Sequence, residues 1–373
     1  MPSFIPPDRL LLGPGPSNVP PRILGALARP TIGHLDPEFV RMMDELKALL
    51  RFAFVTDNLL TVPISAPGSA GMEACFVNLI EPGDTVIVCQ NGVFGGRMKE
   101  NVLRVGATPV MVQDDFGTAI DLDKVEAALK ANPGAKALAF VHAETSTGVE
   151  SDAQALIKLA HDHGALAIVD AVTSLGGIPL FVDAWGADAI YSGSQKCLSA
   201  PPGLSPLSFG ERAVAALKAR KTPVQSWFLD LSLVMAYWQG EGARSYHHTA
   251  PINMLYALHE SLLILQEEGL DAAWARHRAN HLRLRDGLQA IGLELLVDER
   301  HRLPQLNAVR IPAGVEDLPV RRRLLDEYNI EIGAGLGALA GKIWRIGLMG
   351  ASSSPESVDR VLAALAKVLG RPL

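Results

Sequence analysis

Residues 165–174 read ALAIVDAVTS, and residues 187–196 read ADAIYSGSQK. In each stretch a short apolar run predicts a buried strand that ends in a turn of polar or small residues. The carboxyl ends of parallel strands meet at one edge of a sheet, and folds of this kind bind their ligands there. Asp170 and Lys196 follow the two runs. The sequence therefore predicts that this edge of the sheet carries the chemistry.

The same alternation extends through the middle of the chain. Apolar, β-rich runs alternate with segments that have helical spacing and end at Gly or Pro. Such strand–helix–strand units predict an α/β fold with a mainly parallel sheet covered on both faces. The predicted strands are seven: Thr61–Ser65, Thr85–Cys89, Thr108–Val112, Lys136–His142, Ala165–Val169, Ala187–Tyr191 and Leu204–Phe209. The helices predicted between them are Gly71–Ile80, Gly95–Val105, Asp121–Ala131 and Asp152–His163.

Length and composition limit the class of protein. At about 150 residues per domain, the 373 residues predict two or three cores. Lys+Arg 34 against Asp+Glu 40 gives a formal charge of −6, which argues against nucleic acid as a partner. Every apolar run is too short to span a membrane, and the N-terminus lacks a secretory pattern. Three cysteines without CxxC spacing are typical of a reducing compartment, so we expect a cytoplasmic protein.

The pattern changes after the last predicted strand to long helical stretches and a shorter mixed segment. We expect an N-terminal arm at residues 1–20, a large domain at 21–265 and a smaller C-terminal α+β domain at 266–373. The stretch Leu10–Pro21, rich in Gly and Pro, predicts an extended arm or loop with no regular element. The charge-dense helix around Ala272–Gly292 predicts a solvated face that bridges the domains.

Three features at the predicted ligand edge combine into one chemistry. Residues 66–74, APGSAGMEA, form a turn that opens a helix, where free amides and a hydroxyl can cradle a phosphate. The Asp170 carboxylate needs a cationic or proton-donating partner, and a desolvated Lys196 amine can form an imine with an aldehyde. Taken singly, these features also fit helix caps and a surface lysine. Together they are the set that a pyridoxal 5′-phosphate (PLP) enzyme needs.

Six segments carry a resemblance to a known family. They are LGPGPSN at 12–18, ETSTGV at 144–149, VDAVTSLGG at 169–177, YSGSQK at 191–196, YHHT at 246–249 and RIG at 345–347. They resemble the class V aminotransferases, most closely the branch of alanine–glyoxylate and serine–pyruvate aminotransferase. The resemblance covers nearly the whole chain. It implies the fold-type-I architecture of PLP transferases and a homodimer with shared active sites.

Carried over position by position, the resemblance assigns roles around the cofactor ring. It implies that Lys196 holds PLP and moves the proton, and that Asp170 keeps the pyridine nitrogen protonated. Val172 and Phe94 would pack on the two faces of the ring, although relatives often carry a larger or more polar ring at the second position. Thr145 would hydrogen-bond the phenolic oxygen.

The resemblance also divides the phosphate site between two subunits. Ser69, Ala70 and Gln195 of one subunit would bind the phosphate, with Tyr246 and Thr249 reaching over from the other. Relatives often have a Gly-His pair where Ser69-Ala70 stands. The resemblance therefore supports a role in phosphate binding more firmly for the backbone at Ser69-Ala70 than for these two side chains.

The implied reaction is a ping-pong transfer of an amino group from alanine or serine to glyoxylate or pyruvate. Arg345 and Gly15 are the predicted substrate-binding residues, and Arg345 would clamp the substrate carboxylate with two hydrogen bonds. A salt bridge between domains is the plainer role for this arginine. A pyridoxamine–pyruvate aminotransferase, or another class V PLP enzyme, is the alternative function.

Two other groups of residues could indicate a different chemistry, a metal site or a cysteine nucleophile. His161 and His163 lie close together but at a predicted helix end, where histidines favour the negative pole, so we expect no metal site. Cys197 could be a desulfurase-type nucleophile. Its position beside Lys196, and not on a flexible loop, favours a packed small residue.

Overall fold

The computed structural model describes residues 1–238 and 244–372. Its strands are β1 Leu10–Leu12, β2 Leu60–Ile64, β3 Thr85–Gln90, β4 Thr108–Gln113, β5 Ala137–Val141, β6 Ala143–Glu144, β7 Val149–Glu150, β8 Leu166–Asp170, β9 Ala189–Tyr191, β10 Ser205–Phe209, β11 Leu306–Arg310, β12 Ile330–Ala334 and β13 Ile343–Gly347. Its α-helices are α1 Pro21–Leu27, α2 Pro37–Phe54, α3 Gly68–Leu79, α4 Val93–Arg104, α5 Leu122–Ala131, α6 Ala153–Asp162, α7 Val182–Trp185, α8 Glu211–Lys218, α9 Leu231–Trp238, α10 Ile252–Glu268, α11 Leu270–Ala290, α12 Asp317–Tyr328 and α13 Pro355–Leu369.

The central sheet has seven strands in the order β2-β10-β9-β8-β5-β3-β4. β10 runs antiparallel to both of its neighbours, and the other pairs are parallel. The predicted α/β fold and its mainly parallel sheet are confirmed, and each predicted strand end lies within one or two residues of the observed one. The central strands β5 and β8 are almost entirely apolar, and every residue of both is buried, as expected for strands covered on both faces.

Helices α3 to α6 occupy the four segments predicted between the strands. Two of them, α5 and α6, are capped at the N-terminus by an aspartate side chain. Asp121 accepts hydrogen bonds from the first amides of α5, and Asp152 accepts one from the amide of Ala155 in α6. Across the described part of the chain, no helix is both long and apolar enough to cross a membrane.

A second sheet of four strands, in the order β1-β12-β13-β11, has its own apolar core. The expectation that Leu10–Pro21 contains no regular element is wrong at its start, because β1 pairs in parallel with β12. Leu12 is fully buried in the second core, and this burial draws the arm onto the edge of the sheet. Beyond β1 the segment is irregular, as predicted.

The charge-dense helix α11 is only partly solvated, so the prediction of a solvated face is wrong for one side of it. His277 is fully buried, with Nδ1 bonded to the carbonyl of Ala273 at 2.7 Å and Nε2 accepting from the amide of Gly350 at 2.9 Å. Burial lowers the pKa of His277 to about 4, so the ring is neutral. Arg276 donates to the carbonyl of Gly350, and α11 is thereby fixed to the loop after β13.

The arm also packs closely on Gly347, the last residue of β13. A Cβ added there would lie 2.0 Å from the carbonyl oxygen of Gly13. We predict that Gly347→Ala lowers the free energy of unfolding by about 1–3 kcal/mol, because backbone atoms must move to relieve the clash. Denaturant unfolding measures the loss.

The matched control for this substitution is Gly25→Ala in α1, where an added Cβ meets nothing within 4 Å. It should leave stability unchanged or raise it slightly, since alanine is the better helix former. Equal stability of the two variants would contradict the close packing of the arm on β13.

Candidate active site

A cavity of about 170 Å³ lies at the carboxyl ends of β8 and β9. It brings together six of the predicted site residues, which follow four different strands of the large sheet: Ser69, Phe94, Asp170, Val172, Gln195 and Lys196. The other lining residues are Pro67, Gly68, Met72, Arg97 and Tyr191. Because β2, β3, β8 and β9 run in the same direction, their carboxyl ends lie at one edge of the sheet, and residues far apart in the sequence meet there.

Asp170 is the last residue of β8 and is 3% exposed. One carboxylate oxygen accepts from the amide of Val172 at 2.9 Å, and the other accepts from the hydroxyl of Tyr191 at 2.7 Å. The sheet register places Tyr191 directly opposite Asp170. Burial raises the pKa of Asp170 to about 6, while the two donors and the charge of Lys196 favour the ionised form.

Lys196 lies in the loop after β9, and it is buried beside Gly15 of the N-terminal arm. Nζ donates to the carbonyl of Pro14. Burial, and next the charge of Arg345, lower the pKa of Lys196 to about 8. Gly15 has φ +98 and a Cβ there would lie 2.5 Å from Nζ, so the arm can approach the amine only with glycine at this position.

Of the three residues predicted to bind the phosphate from one subunit, Ser69 and Gln195 line the cavity. Ala70 does not line the cavity, whereas Gly68, two positions earlier, does. The reason is helical geometry: Ser69 and Met72 are three residues apart and share one face of α3, and Ala70 is turned away from it. The phosphate contact of Ala70 stays a prediction.

Phe94 and Val172 line the cavity from α4 and from the turn after β8. Arg97, one turn after Phe94 in α4, lies with its guanidinium 4.7 Å from the centre of the Phe94 ring. This contact is a cation–π interaction, and it brings a positive charge to the cavity wall.

Arg345 is buried in β13, where Nε donates to the carbonyl of Ala334 at 2.7 Å and Nη1 to the carbonyl of Thr145 at 3.2 Å. The hydroxyl of Thr145 pairs with that of Thr173. Burial lowers the pKa of Arg345 to about 10, and the Glu144 carboxylate opposes this shift. Arg345 forms no salt bridge within the described residues, so the plainer role of an ion pair between domains finds no support.

Tyr246 and Thr249 are not in this cavity. Their hydroxyls are 3.2 Å apart, Tyr246 is 60% exposed, and its ring lies 5.0 Å from that of His34. The structure therefore separates this pair from the cradle of its own chain.

Cys197 is buried among apolar side chains, as predicted. Burial raises the pKa of its thiol to about 12, so the sulfur stays protonated and is a poor nucleophile. His161 bonds the Asp188 carboxylate at 2.9 Å. Within residues 1–238 and 244–372, no three His, Cys, Asp or Glu side chains are grouped to hold a metal ion.

Sequence reasoning missed several contacts that complete the site. Tyr191 could be recognised only as the end of a strand, although its hydroxyl holds Asp170. The carbonyl of Pro14 carries no signal in the sequence, because any residue has one. Arg97 lies three residues after Phe94, which is helical spacing and could have placed it on the same face.

The site thus has a buried lysine and a buried carboxylate at one edge of the mainly parallel sheet, with a buried arginine of the second sheet near them. The family model "Aminotransferase class-V" matches residues 22–361, and the chain belongs to this family. The chain is 42% identical to alanine–glyoxylate aminotransferase of Oryctolagus cuniculus, over 97% of this chain and 93% of the relative.

Two solved structures extend the comparison. Alanine–glyoxylate aminotransferase from Nostoc sp. superposes with a TM-score of 0.97 at 47% identity, covering 99% of this chain and 97% of that one. Pyridoxamine–pyruvate aminotransferase from Mesorhizobium loti superposes with a TM-score of 0.91 at 30% identity, covering 98% and 93%. The two neighbours share the fold of this chain and differ in the substrates that their names state.

The lowered pKa of Lys196 predicts an unusual reactivity of its amine. The neutral form is the nucleophile, and at pH 7.5 about a quarter of a group with a pKa near 8 is neutral, against about 0.1% of an ordinary lysine. In the cofactor-free protein, acetylation of Lys196 by trace acetic anhydride, an uncharged reagent, should rise up to about pH 8 and then level off. Mass spectrometry of the modified peptides gives the profile.

Other lysine peptides from the same digest are the internal reference, and their modification should keep rising beyond pH 9. A Lys196 profile that rises in parallel with theirs would show that burial does not lower its pKa. Lys196→Ala identifies the peptide signal that belongs to this residue.

Proposed function

We propose that this protein is a PLP-dependent aminotransferase that moves an amino group from alanine or serine to glyoxylate or pyruvate by a ping-pong mechanism. The observation that carries the proposal is the environment of Lys196, a buried amine whose charge interacts with both Asp170 and Arg345. Membership of the class V family supports amino transfer. The names of the relatives from rabbit and Nostoc support alanine and glyoxylate as the substrate pair.

The phosphate end of the cavity fits PLP. A Cβ on Gly68 would lie 3.3 Å from Cγ2 of Val172 and 3.4 Å from the carbonyl oxygen of Ser192, so a side chain there would be tightly packed, and glycine leaves the start of α3 open to a ligand. The amide oxygen of Gln195 is buried without a hydrogen-bond partner. Because the two ends of an amide are assigned from their partners, Gln195 can present either end to a ligand. Ser69 and Gln195 would bind the phosphate beside the N-terminus of α3.

The ring end of the cavity fits as well. Phe94 and Val172 would cover the two faces of the ring, Asp170 would face its nitrogen, and Thr145 would bond the phenolic oxygen. When bound, the cofactor supplies an electron sink for the negative charge that develops when the substrate Cα loses its proton. Asp170 would maintain this sink, since a carboxylate beside the ring nitrogen favours its protonated form.

The side chains of the protein would perform the remaining work. Lys196 would hold the cofactor and then carry a proton to or from the substrate Cα, for which a pKa of about 8 suits an amine that must alternate between two states. Arg345 has two of its nitrogens bonded to backbone carbonyls, which fixes its plane. Its remaining N–H groups would bind the substrate carboxylate.

A pyridoxamine–pyruvate aminotransferase is the second candidate, favoured by the likeness to the Mesorhizobium loti enzyme. Free pyridoxamine carries no phosphate, so such an enzyme has no need for phosphate donors. The glycine turn at Gly68, the hydroxyl of Ser69 and the unpartnered amide of Gln195 favour a phosphate-bearing cofactor.

We propose a homodimer in which Tyr246 and Thr249 complete the phosphate site of the partner. Both lie outside the cavity of their own chain, and Tyr246 is exposed together with Trp227, which is 64% exposed. A second cavity of about 540 Å³ shares Ser69 and Arg97 with the first, so an entering loop could reach the phosphate from this side. Covering exposed aromatic residues is a common feature of subunit interfaces.

The compartment and the domain limits stay predictions. Cys75, Cys89 and Cys197 are all free and buried, which suits the reducing cytoplasm that we propose. We also keep the proposed arm at 1–20 and domains at 21–265 and 266–373. The last boundary falls within α10, and the arm contributes Leu12 to the second core.

A panel of donors and acceptors on the PLP-loaded protein tests the function, with Arg345→Lys as the informative variant. Alanine or serine should be the donor and glyoxylate or pyruvate the acceptor. Arg345→Lys should raise KM for alanine and for glyoxylate about ten- to hundredfold, because an ammonium cannot reproduce the two parallel hydrogen bonds of a guanidinium. Steady-state kinetics gives KM, and the absorption spectrum of the bound cofactor should stay unchanged.

The controls for this panel are Lys196→Ala, which should be inactive and resist reductive labelling by PLP and borohydride, and amines without a carboxylate. Such amines should be poor donors and insensitive to Arg345→Lys. If pyridoxamine is the best donor while alanine and serine are inert, the second candidate replaces the first.

Shared active sites predict complementation between two defective variants. In a mixed dimer of Lys196→Ala with a Tyr246→Ala/Thr249→Ala subunit, one site carries both defects and the other carries neither. Co-expression should therefore restore activity at limiting PLP to about a quarter of the unmodified level, given statistical pairing in a twofold dimer. Each variant alone should be inactive under the same conditions. No recovery on mixing would place Tyr246 and Thr249 in the site of their own chain.

A further inference from the structure

Glu144, the last residue of β6, is a carboxylic acid with no exposed surface. Burial raises its pKa to about 7, with repulsion from Asp170 in the same direction and donors from Ser146 and Phe94 opposing it. Burying an ionisable group costs stability, and a neutral side chain of the same shape would avoid the cost. Perturbed acids of this kind cluster at functional sites, and nothing in the proposed reaction yet uses Glu144.

The contacts of Glu144 join two elements of the site. Oε1 accepts from the amide of Ser146 at 3.0 Å and from its hydroxyl oxygen at 2.6 Å, and Oε2 accepts from the amide of Phe94 at 3.3 Å. The hydroxyl of Ser146 in turn accepts from the amide of Val93 at 2.9 Å. Two of the free amides at the start of α4 are therefore satisfied by side chains of the β6–β7 turn.

The start of α4 cannot supply this cap itself. Its N-cap residue is Gly92, which has no side chain to accept a hydrogen bond. A Cβ there would lie 2.3 Å from Cδ of Glu144 and 2.6 Å from Oγ of Ser146. Glycine at this position is what lets the β6–β7 turn come close enough to cap the helix.

The two joined elements carry neighbouring parts of the proposed cofactor and substrate sites. Phe94, whose amide Glu144 accepts, lines the cavity at the ring end. Thr145, the next residue after Glu144, bonds Arg345 through its carbonyl and presents the hydroxyl assigned to the phenolic oxygen. The position of Phe94 relative to Thr145 is set by the carboxylate between them.

We infer that Glu144 is a positioning residue that fixes the first turn of α4 to the β6–β7 turn and thereby sets the orientation of the cofactor ring between its protein contacts. The inference rests on the proposed function, since it concerns the site for PLP. The ionisable groups that interact with Glu144 are Asp170 on β8, Tyr191 on β9 and Arg345 on β13. The contacts from α4 and from the turn are uncharged donors.

Glu144→Gln tests the inference, because it keeps the shape and replaces one acceptor oxygen with a donor that faces an N–H group. At pH 8, where Glu144 is ionised, the dissociation constant for PLP of the cofactor-free protein should rise about tenfold, as expected for one hydrogen bond to a charged group. Visible circular dichroism of the loaded protein should weaken, since it reports the orientation of the ring. Thermal unfolding of the cofactor-free protein should not shift downward, because the amide is cheaper to bury.

Two further variants sharpen the comparison. Glu150→Gln removes a carboxylate that is 39% exposed on the paired strand β7, and it should bind PLP as the unmodified protein does. Ser146→Ala removes the hydroxyl that accepts from the amide of Val93, and its effect on PLP affinity should be smaller than that of Glu144→Gln. The effects of the two substitutions should be less than additive, since the two side chains act through one contact.

Unchanged affinity and circular dichroism in Glu144→Gln would overturn the inference, and so would a loss of unfolding temperature in the cofactor-free protein that accounts for the weaker binding. The proposed function fails separately, at an earlier step, if the unmodified protein binds no PLP. In that case Glu144 has no cofactor to position and the inference fails with it.

Discussion

The carboxylate of Asp170 is the constraint on which the site depends. It is buried at the end of a strand whose every residue is buried, so it must be bonded there, and its two partners come from the next turn and the next strand. The bond from Tyr191 requires β8 and β9 to be paired in the observed register, because a shift by one residue would turn the hydroxyl to the other face. The pairing of β8 with β9 and the position of the Asp170 carboxylate therefore depend on each other.

Four ionisable groups share this region, and burial shifts each of them toward neutrality. The pKa values of Asp170 and Glu144 are raised to about 6 and about 7, and those of Lys196 and Arg345 are lowered to about 8 and about 10. Interactions between opposite charges limit these shifts, since Asp170 raises the pKa of Lys196 and Glu144 raises that of Arg345. The result is an amine that titrates near physiological pH beside an arginine that stays charged.

The large sheet could be predicted because buried strands show in the sequence as apolar runs bounded by Gly and Pro. This signal is local to each strand. Asp170 and Lys196 followed from the same signal, since Asp170 ends β8 and Lys196 lies in the loop that follows β9. The parts that were missed depend on tertiary contacts. β1 is a strand only because it pairs with the edge strand β12. His277 is buried only because the loop after β13 packs on α11. The role of Glu144 depends on a turn meeting a helix some fifty residues earlier, for which the sequence has no local sign.

The arrangement of the proposed phosphate site ties cofactor binding to assembly. One chain supplies Ser69 and Gln195 but keeps Tyr246 and Thr249 outside its own cavity, so a single subunit would hold the phosphate on one side only. A ligand that contacts both subunits binds the dimer better than the monomer, and it must therefore stabilise the dimer by the same free energy that the dimer adds to its binding. In the proposed homodimer, the exposed aromatic residues near this loop would become part of a buried surface in the same step. The proposed division of the site would thus make a loaded monomer unfavourable for two reasons at once, an incomplete phosphate site and an uncovered apolar surface.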